Sequence, residues 1–449
     1  MYQSISPFDQ TVLKNVAVDE LPDLYQLSIY QKQWAAISVE ERGVYLRKIA
    51  DLIIERKADF AQLITLEMGK PLRESIYELD KTITAFDYYI TNAPAFLQDK
   101  QVATSASKSY VSYAPLGILL SVMPWNFPFW QVFRFAVPSL IAGNTTILKH
   151  SPNVPQCAAA IGQLFKDADV PAGLLTNLFL TNENVAKLIA DDYIAGVSFT
   201  GSDATGSIIA MQAGQHIKKC VVELGGNDPF IVLNDADVVE AVAGAMKSRG
   251  INSGQSCNGA KRFILLPTIH DTFVEKLQSA ILNLKVGNPL DESTDVGPLA
   301  RVDLKEKVNR QIALSIAQGA KAFSQPLPEN TNANFVMPTL LTEVKQGVCA
   351  FEEEIFGPVW SIVSAKSEEE ALALANQTQY GLGASIWTKD IEKATKMATM
   401  IESGNVFINS IVKSDARLPF GGVKKSGFGR ELSEYGLKEF VNIKTVFIQ

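Results

Sequence analysis

Apolar residues recur at helical spacing through the first hundred positions. Val44, Leu46, Ile49, Leu52 and Ile53 share one face, as do Phe60, Leu63, Ile64 and Leu66, so helices are expected between about 20 and 100. At Lys108 the rhythm changes: positions 108–121 alternate and are apolar, with Pro115-Leu116-Gly117 as a turn, which predicts a hairpin or strand pair. Beyond it, TTILK (145–149), TNLFL (176–180), GVSFTG (196–201) and CVVELGG (220–226) read as strands separated by helices at about 155–168, 184–190 and 204–215. A second series joins PFIVL (229–233), KRFILL (261–266), VWSIV (359–363), GASIWT (383–388) and NVFIN (405–409) through helices at about 236–249, 269–283, 367–377 and 390–401. Short apolar strands alternating with helices predict an α/β fold with a doubly wound parallel sheet. The final GLKEFVNIKTVFIQ alternates like an edge strand, which invites pairing with another subunit.

Composition narrows the class. A chain of 449 residues is expected to hold two to four domains, and 47% hydrophobic with 20% charged residues excludes a disordered or fibrous protein. The net charge of −7 has the wrong sign for a general nucleic-acid binder. The most membrane-like stretch, 113–130, is interrupted by Pro115, Pro124 and Pro128 and reads as a buried strand running into a turn. With no basic region leading into an apolar core at the start, the expectation is a cytoplasmic protein that uses neither membrane nor nucleic acid. Cys157, Cys220, Cys257 and Cys349 are too few and too scattered for a disulfide framework or zinc site, so no metal is expected.

Candidate chemistry lies in turns. The usual Gly-rich dinucleotide fingerprint is absent; Gly381-x-Gly383 falls inside a strand. Phe199 to Gly206 ends a strand and opens a helix, where free N–H groups and the Ser202 hydroxyl suit a phosphate; an ordinary N-cap is the alternative. Cys257, in GQSCNG, has small polar neighbours and reads as a nucleophile, whereas Cys157, Cys220 and Cys349 read as small buried hydrophobes. His150, His216 and His270 avoid the Gly-rich turns and are expected to cap helices or face solvent. Glu223, ending an apolar strand before two glycines, is the better base, since burial moves a carboxyl toward neutrality; a structural salt bridge is the alternative. Asn126, in a turn bracketed by Pro124 and Pro128, offers an N–H donor for an oxyanion.

These pieces stand in order with others: MPWNFP (123–128), VELGG (222–226), GQSC (254–257), EEIFGP (353–358), NVFIN (405–409) and PFGGVKKSGFGRE (419–431). Together they resemble the NAD(P)-dependent aldehyde dehydrogenase superfamily. The resemblance implies a Rossmann-like cofactor domain (1–107 and 122–226), a catalytic α/β domain (227–418) and a small β oligomerisation element (108–121 and 419–449) in a homodimer or homotetramer. It implies that Cys257 forms a thiohemiacetal and then a thioester, that Asn126 and the Cys257 N–H form the oxyanion hole, and that Glu223 activates water. Glu431 matches a secondary carboxylate placed in the proton relay or in a structural role. Pro124, Trp125, Lys149, Ser202, Leu224, Glu354 and Phe356 match cofactor contacts for NAD or NADP.

Arg134 stands where many members carry an aromatic residue, and with Phe127 and Ser414 it resembles the short bacterial succinate-semialdehyde dehydrogenase branch, in which such an Arg grips a distal carboxylate. A salt bridge at a domain seam is the other reading of Arg134. The second Arg of that subfamily's better-known branch is replaced here by Ile251, with Arg249 two residues earlier, and its role is not carried over. A general aldehyde or glutarate semialdehyde remains the alternative substrate. Pro152, three residues after Lys149, replaces the acidic residue that repels a 2′-phosphate, and the reading leans to NAD with NADP tolerated. Gly259, two residues past Cys257, predicts no disulfide switch there.

Overall fold

Each strand series closes into its own sheet. In this computed structural model, which describes residues 1–326 and 334–449, a six-stranded sheet runs in the order Gly427–Phe428, Lys219–Glu223, Ile194–Thr200, Ile118–Met123, Thr145–His150, Leu175–Asn177. All neighbours are parallel except Gly427–Phe428. The chain leaves Ile118–Met123 in one direction and later returns on its other side, so this strand marks the switch point. Ligands of doubly wound sheets bind beyond the carboxyl ends of the strands at such a point, and Pro124, Trp125 and Asn126 follow it directly.

The second sheet has seven strands: Lys321–Ser324, Thr339–Val344, Val359–Ser364, Arg262–Leu265, Pro229–Val232, Gly383–Trp387 and Asn405–Ile408, of which only Lys321–Ser324 is antiparallel. Ile118–Met123, Thr145–His150, Pro229–Val232 and Arg262–Leu265 are buried at every position, as strands covered by helices on both faces must be. The expected N-terminal helices form as Leu24–Ala35, Val39–Glu55, Lys57–Met68 and Leu72–Phe96. Trp130–Ile141 also forms a helix, buried at all twelve positions. Gln131, Arg134 and Ser139 are buried there along with the apolar positions, so the helix has no solvated face.

Three expectations need correction. Positions 108–121 are not a hairpin. Lys108–Pro115 pairs along eight positions with Val441–Ile448, while Ile118–Met123 enters the six-stranded sheet. The turn at Gly117 therefore passes the chain from one sheet to another, which an alternating pattern cannot distinguish from a return. Gly427–Phe428, placed by sequence in the oligomerisation element, hydrogen-bonds to Val222 and Glu223 beneath the site. His150 neither caps a helix nor faces solvent: it is 1% exposed, its Nε2 lies 2.9 Å from the Pro128 carbonyl, and burial pushes its pKa down to about 4. The C-terminal strand does lie at a sheet edge, with Ile443 and Phe447 exposed. Among the described residues no helix is long and apolar enough to cross a membrane.

Candidate active site

Cys257 sits in the crossover between the helix Val238–Gly250 and the strand Arg262–Leu265. The turn before it is strained: Asn252, Ser253 and Gly254 all have positive φ, at 54°, 51° and 79°. Only glycine fits the last position, because a Cβ there would collide with the Gly357 carbonyl. The strain is held by tertiary contacts. Asn252 Nδ2 donates to the Asn126 carbonyl at 2.7 Å, and Ser253 Oγ donates to the Gly297 carbonyl at 3.0 Å. Asn126 Nδ2 donates to the Gln255 carbonyl at 3.2 Å, so the amide and the nucleophile's turn are fixed to one another.

The Asn126 turn has its own anchor. Glu78, on the helix Leu72–Phe96, accepts from the Phe129 and Trp130 N–H groups at 2.7 and 2.9 Å and pairs with the fully buried Lys70, which also reaches the Asn126 carbonyl at 3.3 Å.

Glu223 ends its strand beside Cys257. Its Oε2 accepts from Arg134 Nη2 at 2.8 Å, while Oε1 has no hydrogen-bond partner among the described residues. The same Arg134 Nη2 lies 2.7 Å from Glu431 Oε2, and all three side chains are buried. Burial, with the Glu223 charge behind it, lifts Glu431 to about 7 against the pull of Arg134. Burial and then the Glu223 carboxylate also raise the Cys257 thiol well above its usual range, opposed by Arg134 and Lys261. The thiol thus rests beside a Glu223 oxygen that has no hydrogen-bond partner among the described residues and can accept a proton next to the nucleophile, as a general base must.

A cleft of about 600 Å³ opens from this point across the switch strand. Its lining brings together Asn126, Glu223 and Cys257 with every residue expected to touch a cofactor: Pro124, Trp125, Lys149, Ser202, Leu224, Glu354 and Phe356. Trp125 and Phe356 meet edge to face at 5.9 Å. Glu354 accepts from the Gly226 N–H and pairs with Lys261, both at 3.1 Å, and a Cβ at Gly225 would strike its carboxylate. Ser202 caps the helix Asp203–Gln215, accepting from the Thr205 N–H at 3.4 Å, so the N-cap alternative holds while the residue still faces the cleft. Arg301, Lys307 and Ser151 also line it and were not foreseen; each is a lone polar residue in a loop or on a helix, without a local motif.

Phe127, Arg134 and Ser414 do not line this cleft. Phe127 and Cys257 pack against an apolar cluster that includes Trp130, Phe420, Leu382 and Leu432, none of which lines the cleft. Ser414 is buried and accepts from Lys81 Nζ at 2.6 Å. Arg249 is spent on structure: its guanidinium donates to the carbonyls of Gly254, Gly259 and Ala260.

A volume of this size, glycines that let backbone approach closely, a helix N-terminus and several cations suit an anionic dinucleotide. Comparison with known proteins agrees. The family model described as "Aldehyde dehydrogenase family" matches residues 2–446. A Synechocystis protein named "Probable succinate-semialdehyde dehydrogenase [NADP(+)]" is 44% identical over 98% of this chain and 97% of its own. An Escherichia coli "Succinate semialdehyde dehydrogenase [NAD(P)+] Sad" is 44% identical over 97% of this chain and 95% of its own. A Streptococcus pyogenes succinic semialdehyde dehydrogenase solved in complex with NADP+ superposes with a TM-score of 0.96 at 37% identity, covering all of both chains. The chain belongs to the aldehyde dehydrogenase family.

Proposed function

We propose that this protein oxidises succinate semialdehyde, or a similarly short aldehyde that carries a carboxylate, to the corresponding acid with NADP or NAD. The observation that carries the reading is the position of Cys257: it lines a cofactor-sized cleft and also packs into an apolar cluster with Phe127 and Phe420, whose ring lies 5.5 Å from the Arg134 guanidinium. The names of the relatives point to the same substrate.

Cys257 Sγ, once deprotonated, adds to the aldehyde carbonyl. Asn126 Nδ2 and the Cys257 N–H stabilise the oxygen as it becomes negative. Pro124, Trp125, Lys149, Ser202, Leu224, Glu354 and Phe356 would hold a nicotinamide dinucleotide in the cleft, where it would supply the hydride acceptor needed to oxidise the Cys257 adduct to a thioester. Glu223, with one oxygen fixed by Arg134, uses the other to take a proton from water, which attacks the thioester carbonyl. Collapse expels the Cys257 thiolate and releases the acid. One aldehyde, one oxidised dinucleotide and one water give one acid, one reduced dinucleotide and one proton.

The adenosine end favours NADP over the sequence-based lean to NAD. Lys149 and Ser151 face the cleft there beside Pro152, and the only carboxylates in the lining, Glu223 and Glu354, belong to its catalytic half. The six-stranded sheet and its helices serve the cofactor, the seven-stranded sheet carries the nucleophile, and the exposed edge Val441–Ile448 is where a homodimer would pair. Paired Ile443→Lys and Phe447→Lys changes should shift the species seen by light scattering toward monomer.

A second reading draws on the pairing of Arg134 with Glu223 and Glu431: a guanidinium so occupied suits a structural role in a general aldehyde dehydrogenase. Initial rates with succinate semialdehyde, glutarate semialdehyde and butyraldehyde separate the two. A preference of about a hundredfold in kcat/KM for an acid-bearing aldehyde, about 2.7 kcal/mol, supports the first reading. Parity supports the second.

A further inference from the structure

We infer that Lys81 is the second cation of the substrate-carboxylate pocket and sets specificity for aldehydes with a distal acid, an inference that rests on the substrate reading above. Arg134 alone is poorly placed for the task. Its single positive charge already faces Glu223 and Glu431, so an arriving carboxylate meets a cluster of net charge −1, or 0 when Glu431 is protonated. Desolvating a third carboxylate against such a cluster is unfavourable without another cation.

The buried cations of this region are committed, whereas Lys81 is half-buried. Arg249 and Arg262 donate to backbone carbonyls, Lys261 is held by Glu354 and by the carbonyls of Ser256 and Cys257, and Lys70 is paired with Glu78.

Lys81 is different. It projects from the helix Leu72–Phe96, donates to Ser414 Oγ at 2.6 Å and lies 4.3 Å from the Trp130 ring centroid. Among the described residues no carboxylate lies within ion-pair distance of it. Trp130 belongs to the apolar cluster that packs against Phe127 and Cys257, so Lys81 and Ser414 meet at the Trp130 side of that cluster. The residue was invisible in sequence because a lysine on an amphipathic helix ordinarily marks the solvated face.

The groups that act on Lys81 are Arg134 from the helix Trp130–Ile141, Cys257 from the strained turn, Glu78 from its own helix and Asp415 from the loop beyond Ser414. Burial, then Arg134, lowers its pKa to about 7 against the other three. Glu78 is neutralised by Lys70, and Asp415 by Arg417 at 2.7 Å. A substrate carboxylate entering beside Ser414 favours the ammonium, so binding above about pH 7 takes up a proton at Nζ.

The test is the ratio of kcat/KM for succinate semialdehyde to that for butyraldehyde, from about pH 6 to about pH 9, in wild type, Lys81→Met and Lys81→Arg, with melting temperatures alongside. The ratio cancels ionisations common to both substrates. In wild type it should be high and flat below about pH 7 and fall above it. Lys81→Met should lower it at least roughly tenfold at acidic pH, chiefly through KM, and remove the pH dependence. Lys81→Arg should restore the ratio and hold it to the alkaline end; this arm decides the question even where Lys81→Met fails to fold. A high ratio that is pH-independent in wild type and unchanged in Lys81→Met overturns the role of Lys81 and leaves the substrate reading intact. A wild-type ratio near one at every pH sinks both.

Discussion

The two sides of Cys257 are built on opposite principles. On the cofactor side an open cleft of about 600 Å³ is shaped by turns, glycines and one helix start, and few charges are buried there. On the other side an apolar cluster is tightly packed and borders buried charge: Arg134, paired with Glu223 and Glu431, lies over its Phe420 ring, and Lys81, bonded to Ser414, lies over its Trp130 ring. An open cleft recognises its ligand through backbone shape and leaves its residues nearly independent of one another. A closed charged pocket must compensate every charge it buries, so its residues carry stability and specificity together.

That contrast can be broken at several points. The largest expected effect is at the junction: Cys257→Ala should lower kcat by at least about 10⁴-fold, while dinucleotide binding, followed by tryptophan fluorescence, persists. Next, Glu223→Gln should retain a burst of reduced cofactor in stopped flow and slow the steady state by roughly 10²–10⁴-fold; loss of the burst instead would assign Glu223 to activation of the thiol.

Third, Arg134→Met leaves two buried carboxylates unpaired and should cost about 3–5 kcal/mol in urea unfolding. Lys149→Met on the open side should cost far less. Equal losses would erase the distinction between the two regions.

The smallest effect is a pH dependence. The native state keeps the Glu431 proton up to about 7, whereas the unfolded chain releases it near 4.5. Wild-type stability therefore falls as pH rises through that window, by an amount on the order of 3 kcal/mol. Glu431→Gln should flatten this part of the profile in urea titrations at about pH 5 and about pH 7.5.

The same contrast decides what the sequence made legible. Strands of both sheets, and the turns at Asn126, Glu223 and Cys257, announce themselves locally because a parallel strand is a continuous apolar run and a catalytic turn breaks it with small polar residues. The cleft residues follow from those turns. The charged knot does not: Arg134 and Glu431 lie 297 positions apart (431 − 134) and meet only in the fold, where Gly427–Phe428 returns along Val222 and Glu223, and Glu431 bridges Phe420, whose ring lies under Arg134. Lys81 reaches Ser414 from an equally remote helix. The helix Trp130–Ile141 shows no solvated face because it is buried all round, and 108–121 looks like a hairpin in sequence because two strands of different sheets follow one another with a tight turn between them.

The central claim is that Cys257 carries an acyl group derived from an acid-bearing aldehyde. The most direct measurement is mass mapping of Glu223→Gln protein quenched after mixing with succinate semialdehyde and NADP. The account predicts one succinyl group, labile to hydroxylamine, on the peptide that contains Cys257. The adduct on Cys157, Cys220 or Cys349, or an unmodified Cys257 in a variant that still shows the burst, would contradict it.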